Sequence, residues 1–192
     1  MKQLFFAALL TIIFSAKAQI VLEHEYESAS TIYSIGPEGN ATNSQLMYVN
    51  FELSGERYIV IDRWEKEIRF YDMSHVLLST VSIEDFPVDY YGSMGDFLYF
   101  SQNLFDTDDK IEFMYVTRIP SSEEYYTGIY KEDGTLIFSE NAGPFIRLTI
   151  PTQQYPIYNT SAGTKMILSY TDKHATVFGL PGTLVSEIAI QN

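Results

Sequence analysis

Tyr125-Tyr126-Thr127-Gly128-Ile129-Tyr130-Lys131-Glu132-Asp133-Gly134-Thr135-Leu136-Ile137-Phe138 decides the fold class. Two apolar, strand-forming runs flank an Asp-Gly pair. Glycine reaches positive φ without a Cβ clash, so the pair reads as the tip of a β-hairpin. Working outward, the same cadence continues upstream in Phe97–Phe100 and Ile111–Val116, giving one group of four short strands. A group before it comprises Leu46 to Phe51, Tyr58 to Ile61, Ile68 to Tyr71 and Val76 to Ile83. Its turns are Ser54-Gly55-Glu56, Arg63-Trp64-Glu65-Lys66 and Asp72-Met73-Ser74-His75. A third, weaker group has Pro156–Tyr158, Met166–Tyr170, Ala175–Phe178 and Leu184–Ile190, with turns at 159–163 and 172–174. No segment of a dozen residues keeps a 3.6-residue apolar period, so helices are not expected.

Repeated four-strand meanders are the sequence pattern of propeller blades. The expected fold is all-β, with antiparallel four-strand meanders in a propeller-like stack of three blades or an incomplete propeller. Closure as a β-sandwich is the alternative. Residues 20–35 would supply only part of a fourth blade. The core is expected from Ile59, Ile61, Phe70, Leu98, Phe100, Phe113, Tyr115, Ile137, Ile167 and Leu168, alternating positions that face one interior.

The N-terminus bounds the location. Lys2 precedes an apolar run from Leu4 to Phe14, and Ala16-Lys17-Ala18 has the small-x-small pattern of a cleavage site. Residues 1–18 therefore read as a signal peptide and residues 19–192 as a single all-β domain beginning at Gln19. The run is shorter than the roughly 18–20 residues that cross a bilayer, so no membrane span is expected after cleavage. The expected location is secreted or periplasmic. With no cysteine in the chain, neither a lipid-modified cysteine nor a disulfide framework is available, and stability must come from an apolar core.

The chain carries 12 Lys+Arg against 25 Asp+Glu, a formal charge of −13. Loss of Lys2 and Lys17 with the signal takes this to −15. Such a field repels phosphate backbones, which excludes nucleic acid as an expected partner and leaves proteins or glycans.

Four acids stand close together in Asp106-Thr107-Asp108-Asp109-Lys110-Ile111-Glu112. Asp106, Asp108, Asp109 and Glu112 are candidate calcium ligands, since Ca²⁺ is held by oxygens alone. The glycine and terminal glutamate spacing of an EF-hand loop is missing. An Asp-rich turn capping its own backbone is the competing interpretation. No other cofactor is expected. Tyr90-Tyr91 and Tyr125-Tyr126 are candidate binding residues, because exposed tyrosines give flat amphipathic contact area. Gly-x-Ser-x-Gly is absent, His24, His75 and His174 lie in or beside expected turns, and no histidine spacing suggests zinc. The sequence thus assembles no catalytic set. A non-catalytic exported domain is expected, with a secreted polysaccharide-acting hydrolase as the alternative.

Ile68-Arg69-Phe70-Tyr71-Asp72, the segment from Ser101-Gln102-Asn103-Leu104-Phe105 to Glu112-Phe113, Gly163-Thr164-Lys165-Met166-Ile167-Leu168 and Val177-Phe178-Gly179-Leu180-Pro181-Gly182-Thr183-Leu184 follow one another in a familiar order. Across residues 46–184 the chain resembles a recurrent all-β module of exported Bacteroidetes-type proteins, many of which leave by the type IX secretion route. The resemblance implies an exported address and an all-β architecture; the expected role of such a non-catalytic domain is protein or glycan binding, or a part in an envelope or secretion assembly. Such proteins commonly continue into a sorting domain signalled by Tyr-Pro-Asn-Pro, a segment not found in these 192 residues.

Overall fold

The computed structural model describes residues 20–27, 29, 34–35, 41–42, 44–120, 124–144 and 156–184. The proposed signal peptide, and all of Leu184–Ile190 beyond residue 184, lie outside the described residues. Among those residues the chain is all-β, with no helix, and none long and apolar enough to cross a membrane.

Thirteen strands form in chain order: β1 Ser34–Ile35, β2 Ala41–Thr42, β3 Gln45–Phe51, β4 Gly55–Asp62, β5 Glu67–Tyr71, β6 Leu77–Ser82, β7 Asp96–Gln102, β8 Ile111–Arg118, β9 Tyr125–Lys131, β10 Leu136–Glu140, β11 Ile157–Thr160, β12 Gly163–Ser169 and β13 Ala175–Gly179. They build a first sheet β3-β4-β5-β6, a middle sheet β7-β8-β9-β10 and a third sheet β11-β12-β13, besides the short β1–β2 pair. Every pairing is antiparallel and between consecutive strands, so each sheet is a meander. The first two expected groups are thus found with four strands each, and the third with three among the described residues. Of residues 20–35, those described form a strand only at Ser34–Ile35.

One hairpin recurs in all three sheets. Asp72 N donates to Val76 O while His75 N donates to Asp72 O. Lys131 and Thr135, with Gly134, repeat the pattern, as do Tyr170 and His174, with Lys173. The residue before the returning strand has positive φ each time: His75 at 64°, Gly134 at 83° and Lys173 at 78°. This is the three-residue hairpin that closes on a left-handed residue, and in the first two sheets a separate register shift follows just beyond it, past Tyr71↔Leu77 and Leu136↔Tyr130. An Asp side chain caps each loop, with Asp72 Oδ1 accepting from Val76 N, Asp133 Oδ1 from Thr135 N and Asp172 Oδ1 from His174 N.

The sheets stack face to face through two separate cores. The first joins the first sheet to one face of the middle sheet: Ile59, Ile61, Ile68, Phe70 and Val81 meet Phe97, Phe100, Phe113, Tyr115 and Tyr130. The second joins the opposite face of the middle sheet, through Met114, Val116 and Ile129, to Ile157, Met166 and Leu168. The single expected interior is therefore corrected to two. Leu98 and Ile137 are half-buried and pack against the second core. Ile167 is 37% exposed. It pairs with Val177 on the outer face of the third sheet, because side chains alternate and its neighbour Leu168 points inward.

The segments quoted for the family resemblance touch in space. Gly182 N donates to Leu104 O at 3.2 Å, and a Cβ on Gly182 would lie 1.4 Å from the Asn103 carbonyl oxygen. Leu-Pro-Gly closes on the Ser-Gln-Asn-Leu-Phe turn and has no room for a side chain there. Across the first interface, Gln102 Oε1 accepts from Leu53 N and Ser54 N, and Glu52 accepts from Ser101 Oγ and Gln102 N.

Candidate functional site

The topology sorts the loops to two ends. One end carries the β3–β4 turn, the β7–β8 loop, the β5–β6 and β9–β10 hairpins and residues 180–184, whereas the β12–β13 hairpin lies at the opposite end, where Ser169 bridges to Gly143. The other carries the β4–β5 turn, the β6–β7 connection and the start of β9. Arg63 ties the second end together, donating to Met94 O at 3.2 Å and lying over the Phe97 ring at 5.7 Å.

The acidic candidates are at the first end. A carboxylate oxygen from each of Asp106, Asp108 and Glu112 lies within 4.8 Å of the others. Asp106 Oδ1 accepts from Thr107 N at 2.5 Å and Asp108 Oδ1 from Lys110 N at 3.0 Å, the capping expected of an Asp-rich turn. Asp109 is not one of the three. It is exposed, and its carbonyl accepts from Gln102 Nε2 at 2.5 Å.

Sequence reading missed Lys131. Its Nζ sits 2.7 Å from Asp106 Oδ2 and 2.5 Å from Asp108 Oδ2. Lys131 is the direct cross-strand partner of Glu112, a register relation that linear spacing does not reveal. The hydrogen bonds from Lys131 hold both aspartates below the usual carboxylate range, and the same bonds raise the lysine. Nearby, Lys110 pairs with Asp133.

Glu112 differs from its neighbours. It is fully buried, Oε2 accepts from Phe105 N at 2.9 Å, and Oε1 has no hydrogen-bond partner. Burial pushes its carboxyl up to about 7, opposed by the Phe105 amide and reinforced by the charges of Asp106 and Asp108.

The tyrosine candidates are at the other end and do not behave alike. Tyr90 and Tyr91 are 75% and 72% exposed, with ring centroids 5.3 Å apart and planes at 87°. Their loop is fixed by Asp89, whose Oδ1 accepts from Tyr91 N and Ser93 N at 2.8 Å. Tyr115 anchors its base, its hydroxyl donating to Pro87 O and accepting from Gly95 N. Tyr125, 47% exposed, lies close over Gly143. Tyr126 instead packs against the first core and shares a 2.9 Å hydroxyl contact with Tyr130. Trp64, exposed on the β4–β5 turn, was not singled out by sequence, and its position became meaningful only once the topology put it at the same end.

His24 and His174 are exposed, as their turns suggested, and His75 is half-buried. His24 stacks on His75 at 4.5 Å, and His75 Nδ1 meets the Tyr26 hydroxyl at 2.8 Å, which docks residues 24–26 on the outer face of the first sheet. His174 stacks on Tyr170 at 4.1 Å and pairs with Asp172. A groove of about 200 Å³ runs between the first and middle sheets, lined in part by Arg57, Phe70, Gln102, Asp109 and Glu132. The Glu132 carboxylate is already engaged by Ile111 N.

Comparison with family models, curated proteins and solved structures finds no match to this chain.

Proposed function

We propose that this chain is an exported, secreted or periplasmic, non-catalytic binding domain of the Bacteroidetes-type module that its motifs resemble. Its ligand is a neutral glycan, held at the aromatic end. One observation carries the reading: Tyr90 and Tyr91 stand exposed at right angles on a turn that Asp89 and Tyr115 hold rigid. Aromatic rings presented on a fixed loop offer flat apolar area with a polar rim at little entropic cost, which suits sugar faces. Tyr125 and Trp64 extend the same end. The formal charge of −13 disfavours anionic polymers.

The alternative, a polysaccharide-acting hydrolase, needs an acid and a base or nucleophile converging in a cleft. The groove brings Asp109 and Glu132 to one lining, but with the Glu132 carboxylate accepting the Ile111 amide the pair has less freedom for proton transfer. The proposal is tested by titrating the full mature chain with neutral polysaccharides while assaying for new reducing ends. Saturable binding that falls at least tenfold in Tyr90→Ala and Tyr91→Ala, with no sugar released, is the expected result. Release of reducing ends, or binding untouched by both substitutions, would overturn it.

A further inference from the structure

We propose that the β7–β8 loop holds a calcium ion on Asp106, Asp108 and Glu112, and that Lys131 is the built-in cation which occupies the two aspartates when calcium is scarce. Clustered acids alone would not carry this, since short Asp-rich turns commonly cap only themselves. The second observation is Glu112. A carboxylate at 0% exposure with one oxygen unpaired is a costly arrangement, and buried polar atoms left without a partner are rare. The same side chain contributes a donor within 4.8 Å of donors from both aspartates. The unmatched oxygen belongs to a group already gathered with two further oxygen ligands.

Charge and chemistry point the same way. Ionised, the three carboxylates carry −3, of which the Lys131 ammonium offsets one charge and a divalent ion in its place offsets two. All three donors are hard oxygens. Calcium accepts about six to eight such ligands in flexible geometry, including backbone carbonyls and water, whereas magnesium demands a strict octahedron and zinc prefers nitrogen and sulfur. Lys131 is suited to yielding its place. Its ammonium is a point charge on a flexible four-carbon stem, so it can swing off the aspartates without moving the backbone of β9. The ion would then connect the β7–β8 loop to Glu112, which faces the side of the middle sheet that packs on the third sheet.

The site is at the opposite end from Tyr90 and Tyr91, so its failure and that of the glycan reading are separable. The experiment is calorimetric titration of chelator-treated mature chain with calcium chloride, paired with thermal unfolding in calcium or in excess EDTA. One ion is expected to bind with Kd on the order of 10⁻⁴–10⁻³ M. At ten times Kd, Tm should rise by about 3–5 °C. Magnesium at the same concentration should raise it much less. Asp108→Asn should weaken calcium at least tenfold. Lys131→Gln removes the competitor, so it should bind calcium more tightly than wild type while melting lower in EDTA. Glu112→Gln keeps the side-chain shape and should abolish the calcium-dependent rise in Tm whatever its own stability. Equal Tm in calcium and EDTA with no saturable heat would overturn the proposal. So would Lys131→Gln binding calcium more weakly than wild type, the result expected if the lysine only organises the loop.

Discussion

The middle sheet and the third sheet are both antiparallel meanders, yet they are buried on different terms. Along β8 every residue from Ile111 to Thr117 is buried, whereas β12 alternates, with Met166 and Leu168 covered and Ile167 open. In β8 odd positions feed the first core and even positions the second. A strand covered on both faces loses the polar alternation that marks a one-sided sheet, and its sequence becomes a nearly continuous apolar run. The difference shows that position in the stack, more than strand propensity, decides what each residue stabilises.

Truncation on the two strands tests this directly. Phe113→Ala should cost about 3–5 kcal/mol and Met114→Ala about 2–5 kcal/mol, one for each core, by urea unfolding. Ile167→Ala, on the outer face, should cost under about 1 kcal/mol. If Ile167→Ala costs as much as Met114→Ala, the outer face is covered and the contrast fails.

Gly182→Ala sharpens the picture at the second interface. The new methyl must displace the Asn103 carbonyl, so a loss of roughly 1–3 kcal/mol is expected from overpacking. Amide exchange should quicken in β11–β13 more than in β3–β6. Equal acceleration in both sheets would mean that the Leu-Pro-Gly contact is not specific to the third sheet.

Substitutions at the ends should separate binding from stability. Tyr90→Ala and Tyr91→Ala remove exposed rings and should change unfolding free energy by less than about 0.5 kcal/mol while reducing glycan affinity. A large destabilisation would assign the rings to packing.

The smallest effect is expected from the exposed pair of Lys110 and Asp133. The hydrogen bond from Lys110 holds the Asp133 carboxyl below its ordinary value in the folded state. Its contribution is therefore present above the unfolded carboxylate pKa and is lost as pH falls through the folded one. Asp133→Asn should flatten only the acid limb of the stability curve, by about 0.5 kcal/mol or less for so exposed a pair. The loss should be full at pH 7–9 and shrink toward pH 3, so a change at pH 3 larger than at pH 7–9 would contradict this.

Much of the fold was legible because period-two alternation and turn chemistry are local properties. Asp133-Gly134 announced its hairpin, and Asp72 and Asp172 mark the equivalents even though His75 and Lys173 occupy the left-handed position where glycine is usual. The number of interiors was not legible from those turns. Ile167 and Leu168 are adjacent and cannot face one core, and the unbroken run Phe113-Met114-Tyr115-Val116 was the available sign that β8 is covered twice. Within the acidic loop spacing offered four acids, of which the structure gathers Asp106, Asp108 and Glu112 but not Asp109, and Lys131 is brought in by cross-strand register with Glu112, which only the pairing supplies. Of the Tyr125-Tyr126 pair one ring faces outward, as strand alternation requires, and which one is decided by Tyr130, four residues on along the same face of β9, whose hydroxyl meets that of Tyr126.

The second core, joined to the middle sheet and little else, also governs how the molecule comes apart. Units that touch only their neighbours behave as a short one-dimensional chain, in which an end can open while the rest holds. Detachment of β11–β13 would leave the first core intact but strip water protection from Met114, Val116 and Ile129 at once. The resulting two-sheet species would expose a broad oily face bounded by the acidic loop. Its lifetime, more than the global melting point, would set the tendency of this protein to aggregate.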